Sequence, residues 1–360
     1  MTDFRSGSRQ PSNEVDVMVG DIKYGELQCS PPTVSMASEI NQKDSGIKYS
    51  SNIKTTGYIW QRGKQTGEIM DWGKYNFRIS LIENGEKNSL GIYIPQTVQK
   101  ETDNGSTLYE VTGYDKSVLV KNDCILTRNF IAAGTKYLDA ISALLISSGI
   151  TQIIADESDA VFATDRDDWE IGTSKLKIVN QLLGEISFRS LEIDRNGSAN
   201  LRVYQDASSE NIQHIYREGK ASIVSPNTTI SSNQLDIPNV WIATVSNPDL
   251  PAPLTYKYVN DNPLSQTSTV YTGQNKVKVL SFDNVATQAD LESAVKKQAF
   301  NDMLGIETVQ FKTAAVADHG VNDTVVLELP EFHGILTETE WEINCEDYTM
   351  SHTGKKLMYE

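Results

Sequence analysis

The chain has 360 residues, 39% hydrophobic and 22% charged, the proportions of an ordinary globular protein long enough for two or three domains. Its 32 Lys and Arg against 48 Asp and Glu leave a formal net charge of −16, which argues against a grip on nucleic acid because phosphate binding needs clustered cations. No apolar run approaches the ~20 residues of a membrane span, and Cys29, Cys124 and Cys345 lack the number and spacing of a disulfide framework or a zinc site.

Residues 1–8 contain no apolar core segment, so no secretory signal is expected, and synthesis in a cytosol is. Residues 1–50 are rich in Ser, Asn, Gln, Gly and Pro, with weak alternation at 15–19 and 22–24. They read as a polar N-terminal arm with an edge strand, either loosely ordered or crossing to a neighbouring subunit. From 51 to 115 the pattern is antiparallel β. Tyr75, Phe77, Ile79 and Leu81 alternate up to a turn at Asn84-Gly85, and Leu90, Ile92 and Ile94 alternate up to Pro95. Asn104-Gly105 is the next turn. Short strands with such punctuation predict a first β-barrel-like domain, since closing a sheet removes its edges.

Residues 116–205 predict an α+β middle domain. One helix opens at Gly134-Thr135 with a stripe of Leu138, Ile141, Leu144 and Leu145, and ends at Ser148-Gly149. A second follows Thr173 and Ser174, both competent N-caps, with a stripe of Leu176, Val179, Leu182, Leu183 and Ile186. The piece 150–162 between the two helices reads as a short insertion. Leu191, Ile193, Leu201 and Val203 alternate on either side of Asp194-Arg195-Asn196-Gly197, which predicts a hairpin.

A polar stretch at 205–238, with one modest strand, marks a boundary. Residues 206–360 predict a second β-barrel-like domain with strands at 240–245, 256–259, 276–280, 309–311, 324–329, 341–345 and 357–359. Prolines at Pro248, Pro251 and Pro253 break the run after 245. One helix, 287–304, is capped by Thr287 with Asp290 three later, carries Leu291, Val295, Ala299 and Met303, and ends at Gly305. The fold class is therefore mainly β with an α+β middle: two small antiparallel β-barrel-like domains flanking a helix pair plus hairpin.

No catalytic, cofactor or metal site is expected. The acidic run Asp165, Asp167 and Asp168 lacks the turning glycine and closing glutamate of a calcium loop. The pairs Glu192/Asp194 and Glu338/Glu340 sit at alternating positions and read as wet strand faces rather than a glycosidase dyad. His214, His319, His333 and His352 form no zinc-protease spacing, and neither a nucleophile elbow nor a phosphate loop occurs. The tryptophans Trp60, Trp72, Trp169, Trp241 and Trp341 are spread one per region, as core anchors would be.

Four stretches carry a resemblance: V-T-G-Y-D at 111–115, G-T-x-Y-L-x-A-I at 134–141, W-E-I-G-T-S-K-L at 169–176, and L-x-I-D-R-N-G…L-x-V-Y at 191–204. From about residue 77 onward the chain resembles the tail hub proteins of phages and of phage-like particles, including defective prophages and tail-like bacteriocins of Gram-positive bacteria. The resemblance implies a virion structural protein at the tail tip or baseplate, assembled in the host cytoplasm, not an enzyme, without cofactors. It implies two similar barrels per subunit and a homotrimeric ring of approximate six-fold symmetry. Implied partners are the tail tube or distal tail protein, the central spike, other baseplate proteins and the tape measure protein, with DNA only in transit through a channel whose negative lining would let it slide. Two alternatives stay open: a peptidoglycan- or glycan-acting tail enzyme, and a carbohydrate-binding β module.

Overall fold

A computed structural model describes residues 11–38, 47–167, 169–205, 211–219, 222–232, 237–245, 253–281, 288–303 and 307–356. They are mainly β and divide into two compact units. The first is Met1–Asp206, Lys312–Val321 and Thr339–Ser351; the second is Ala207–Phe311, Asn322–Glu338 and His352–Glu360. The expected domain of 206–360 is thus not a single body. Its segment 339–351 belongs to the first unit, where Glu340–Asn344 pairs with Thr33–Ala37.

The first unit opens with β1 (Ser12–Val19), β2 (Ile22–Cys29), β3 (Thr33–Ser38), β4 (Ile47–Gln61), β5 (Lys64–Ile69), β6 (Asn76–Glu83), β7 (Glu86–Asp103) and β8 (Ser106–Tyr114). Six of these strands close on themselves through antiparallel pairs, in the order β4, β2, β1, β6, β7, β8 and back to β4. Val17, Phe77 and Tyr93 stand opposite one another on three neighbouring strands, and all three are fully buried. Phe77 and Tyr93 stack with centroids 5.6 Å apart, and the Tyr93 hydroxyl donates to the Leu90 carbonyl at 2.8 Å. Gly113 lies against this pair: a Cβ there would stand 2.6 Å from Phe77 Cζ.

The described part of the expected N-terminal arm is therefore integral to the first unit: β1 and β2 are barrel strands, and β3 pairs with β4 beside them. Its alternation is weak for two physical reasons. Val15, Asp16, Val17 and Met18 are all buried, and the β1–β2 register shifts between Val17 and Met18. Asp16 tolerates burial because Lys23 and Lys87 reach its two oxygens at 2.8 and 2.9 Å, and both lysines also reach Glu14 at 2.8 Å. Burial works to raise the Glu14 carboxyl, but its hydrogen bonds with Asp16, Lys23 and Lys87 and the charge of Lys87 outweigh it, and its pKa falls from 4.5 to about 2.

The helical layer of the first unit follows: α1 (Ser117–Asn122), α2 (Tyr137–Ser147), β9 (Ile153–Ala155), α3 (Lys175–Glu185), β10 (Glu192–Ile193) and β11 (Ala199–Leu201). Asp115 ties it to the barrel. Its buried carboxylate accepts from Tyr49 N at 2.5 Å and from Ser117 N at 2.7 Å. The expected stripes are the core: Ile141, Leu144, Leu145, Leu176, Val179, Leu182 and Leu183 are buried together with Trp169 and Phe188. Ser174 occupies the N-cap of α3, but its hydroxyl donates to the Lys121 carbonyl at 2.8 Å instead of capping. The stretch expected as an insertion holds β9, which pairs in parallel with β11. The hairpin forms as predicted: Asp194 Oδ1 accepts from Asn196 N and Ser198 N, and Gly197 takes a φ of 83°. Its tip reaches the rest of the unit, since Ser89 Oγ donates to the Arg195 carbonyl and Arg195 donates to the His319 carbonyl.

The second unit contains β12 (Ile212–Arg217), β13 (Thr229–Ser232), β14 (Val240–Val245), β15 (Leu254–Val259), α4 (Thr269–Thr272), β16 (Val277–Ser281), α5 (Gln288–Met303) and β18 (Thr324–Leu329). β17 (Glu307–Ala314), β19 (Phe332–Asn344) and β20 (Thr349–Lys356) give residues to both units. The strand path β12-β18-β19-β20-β17-β13 is open among the described residues and encloses Tyr216, Val309, Phe311, Val325, Leu327 and Leu336. A separate three-stranded sheet, β15-β14-β16, is covered on one face by α5 through Leu291, Val295, Ala299 and Met303. Trp241 is fully buried in that interface and donates its Nε1–H to Asp302 at 2.7 Å, where Lys278 and Gln298 also bind. Thr287 and Gly305, the expected ends of the helix, lie outside the described residues, as do Pro248, Pro251 and the strand expected at 357–359.

Three measurements check this account. Gly113→Ala forces a methyl into the Phe77–Tyr93 stack and should cost about 1–3 kcal/mol, read as a lower urea midpoint. Glu14 has a folded pKa below its ordinary value, so its contribution is fully present above pH 4.5 and is lost as pH falls toward about 2; Glu14→Gln should flatten the stability profile in that window. Asp302→Ala removes the acceptor of a buried tryptophan and a lysine, an expected loss of about 1.5–3 kcal/mol, read through Trp241 fluorescence and amide exchange of α5.

Candidate functional site

Several of the polar residues that chemistry could recruit have structural partners. Asp165 accepts from Ala133 N at 2.8 Å, Asp167 faces Arg128 at 3.5 Å, and Arg166 between them turns inward to Glu185 at 2.5 Å with its guanidinium 4.4 Å from the Trp169 ring. Asp168 lies outside the described residues. Of the pair expected on a wet face, Glu340 is exposed but Glu338 is buried, bonded to His352 Nδ1 at 2.5 Å. The His352 ring lies parallel to Phe311 at 4.5 Å. His214 meets Asp323 at 3.2 Å, His319 is buried, and His333 is exposed. Trp169, Trp241 and Trp341 are buried in the cores of their own regions, and Trp72 tilts against Tyr109 at 5.6 Å. All three cysteines are free; burial pushes the thiol of Cys29 up to about 11 and that of Cys345 up to about 12.

What the two units offer instead is exposed apolar surface. In the first, the segment 123–135 arches over α2 and leaves a groove of about 570 Å3 floored by Ile131, Ala140, Ala143 and Leu144. Leu126 and Phe130, large enough to fill it, stand 85% and 63% exposed on its rim. Asp139, in the first turn of α2, adds an exposed carboxylate, and at the other end of the helix Lys175 is held by Asp123 at 2.5 Å and Ser147 at 2.8 Å.

In the second unit the face of the β15-β14-β16 sheet away from α5 is largely exposed over its described residues, with Val240 buried at one end. The register sets Ile242 opposite Lys257 and Val279, and Val240 opposite Val259 and Val277. Val277 and Val279 are 52% and 76% exposed. Sequence alternation misleads here, because Val277 and Val279 alternate with Lys276 and Lys278 and the valines are the residues one would bury. The reverse holds: Lys278 points to the α5 side, where Asp302 neutralises it at 2.7 Å, and the valines face out. An acidic residue near the end of α5 was the only available signal.

No protein-family model matches the sequence, and no curated protein matches it. The architecture, however, is found among solved structures. A tail protein from Neisseria meningitidis MC58 superposes with a TM-score of 0.66 at 13% identity, covering 96% of each chain. The 43 kDa tail protein of prophage MuSo2 from Shewanella oneidensis gives 0.66 at 9% identity, covering 96% of this chain and 99% of that one. The E. coli c3393 protein, a component of the type VI secretion system with structural similarity to the T4 bacteriophage tail proteins gp27 and gp5, gives 0.53 at 8% identity, covering 96% and 77%. Over 96% of its length, the chain shares the fold of these phage tail proteins.

Proposed function

We propose that the chain is a structural component of a phage tail or phage-like particle: the hub at the tail tip that joins the tail tube to the central spike or fibre apparatus and lines the channel. The observation that carries the reading is the match over nearly the whole length, 96% of both chains, to a tail protein. A closed six-stranded barrel is a rigid building block, which suits a part whose work is assembly. Its role is not enzymatic. Asp165, Asp167, His214 and His352 are engaged in a turn, ion pairs and a ring stack, and the exposed apolar surfaces offer docking. The protein works as a homotrimer, takes the distal tail or tube protein, the spike, other baseplate proteins and the tape measure protein as partners, and meets DNA only in transit. It resides in the virion or particle after assembly in the host cytoplasm.

Immunogold labelling of particles that carry the tagged chain tests this directly. Label confined to the tail end distal to the capsid, with no clearing of peptidoglycan suspensions by the purified chain, is the expected result. Label along the tube, or lysis of peptidoglycan, would sink the hub reading in favour of a tube or enzyme role.

A further inference from the structure

We propose that the bare face of the β15-β14-β16 sheet docks into the α2 groove of a second copy of this chain, a head-to-tail contact. The inference rests on the reading above in one respect: that copies of the chain associate.

The argument starts from charge. A second copy also carries −16, so copies repel except through surfaces poor in carboxylates. Interface cores are depleted of charge and enriched in apolar side chains. The strands β14, β15 and β16 contain no Asp or Glu at all, in a chain with 48 of them. On their bare face the centre is Ile242, Val259, Val277 and Val279, and the single charge is Lys257. Thr244, Thr255 and Ser281 supply an uncharged polar rim.

The groove is the complement. Its floor is apolar, its rim carries Leu126 and Phe130, and Asp139 is exposed at its edge. Branched side chains of a sheet fit a groove that the chain's own leucine and phenylalanine leave unfilled, and Lys257 of one copy answers Asp139 of the next. The two surfaces are different, so the contact is heterologous, and a heterologous contact that closes makes a ring. A three-stranded face five residues long measures on the order of 250 Å2 in plan. That is below the ~800 Å2 per partner of a stable interface, so this patch is one part of a larger contact between copies.

The test is light scattering after size exclusion over a concentration series, with far-UV circular dichroism confirming that each variant folds. The wild type should assemble to three times the monomer mass. Lys257→Glu and Asp139→Lys should each shift the assembly midpoint by about tenfold or more through like-charge contact, and the double variant, in which the charges are exchanged, should recover most of that shift. Val279→Asp and Phe130→Asp should each block assembly alone. Mixed together they should form a dimer and stop there, because one good sheet face and one good groove remain. Leu126→Ser replaces Phe130→Asp should the latter fail to fold. Single variants that assemble like the wild type, a double variant no better than its parents, or a mixture that stays monomeric would overturn the inference. A wild type that stays monomeric overturns it too, while immunogold labelling of particles judges the hub reading independently.

Discussion

β4 hydrogen-bonds to β2, β3, β5 and β8. Its 15 residues pair with β8 and β3 along the first part and with β2 and β5 along the second. The barrel closes through it, because β2 and β8 meet on no other strand of the circuit. The cost of such a strand is that both of its edges must be satisfied along most of its length. The chain meets it by turning at Pro31-Pro32, so that β2 and β3 run in succession along one edge. From there β3 passes the sheet on to Glu340–Asn344, and a segment near the end of the sequence becomes part of the unit that the beginning builds.

The helical layer shows a different economy. Its core is built by two stripes of aliphatic residues, and its attachment to the barrel is polar: the Asp115 carboxylate, the Arg195 guanidinium and main chain, and Lys116, which reaches Asp21 at 2.7 Å. These contacts are directional, so they set register as well as adhesion. Gly197 takes a positive φ that suits glycine, and a Cβ there would stand 2.8 Å from Lys116 Nζ. The D-R-N-G turn is thus a joint between two layers, and its composition answers to both the bend and the neighbour.

Where one face of an element is buried and its side chains are mostly apolar, the sequence is readable. The stripes of α2, α3 and α5 and the alternation of β6 are of this kind. It becomes opaque where a buried position is filled by something else. β20 buries Met350, His352 and Gly354 on alternate positions, a pattern no hydropathy rule would register as a strand. β1 buries an aspartate whose two lysine partners come from other strands. β16 turns Lys278 toward α5 and exposes two valines because Asp302 sits beneath it. The bare sheet face was hidden for the same reason: its residues look like core.

The cysteines bear on how the groove can be observed. Thiolate is the reactive form, and burial holds Cys29 and Cys345 so far above neutrality that hardly any of it forms in the folded protein. Cys124 is half-buried and lines the groove beside α2, where a maleimide or a spin label can be attached. The natural chain therefore carries a reporter position at the place where occupancy is in question, and a dye attached there would register in its colour whether water or another protein surrounds it.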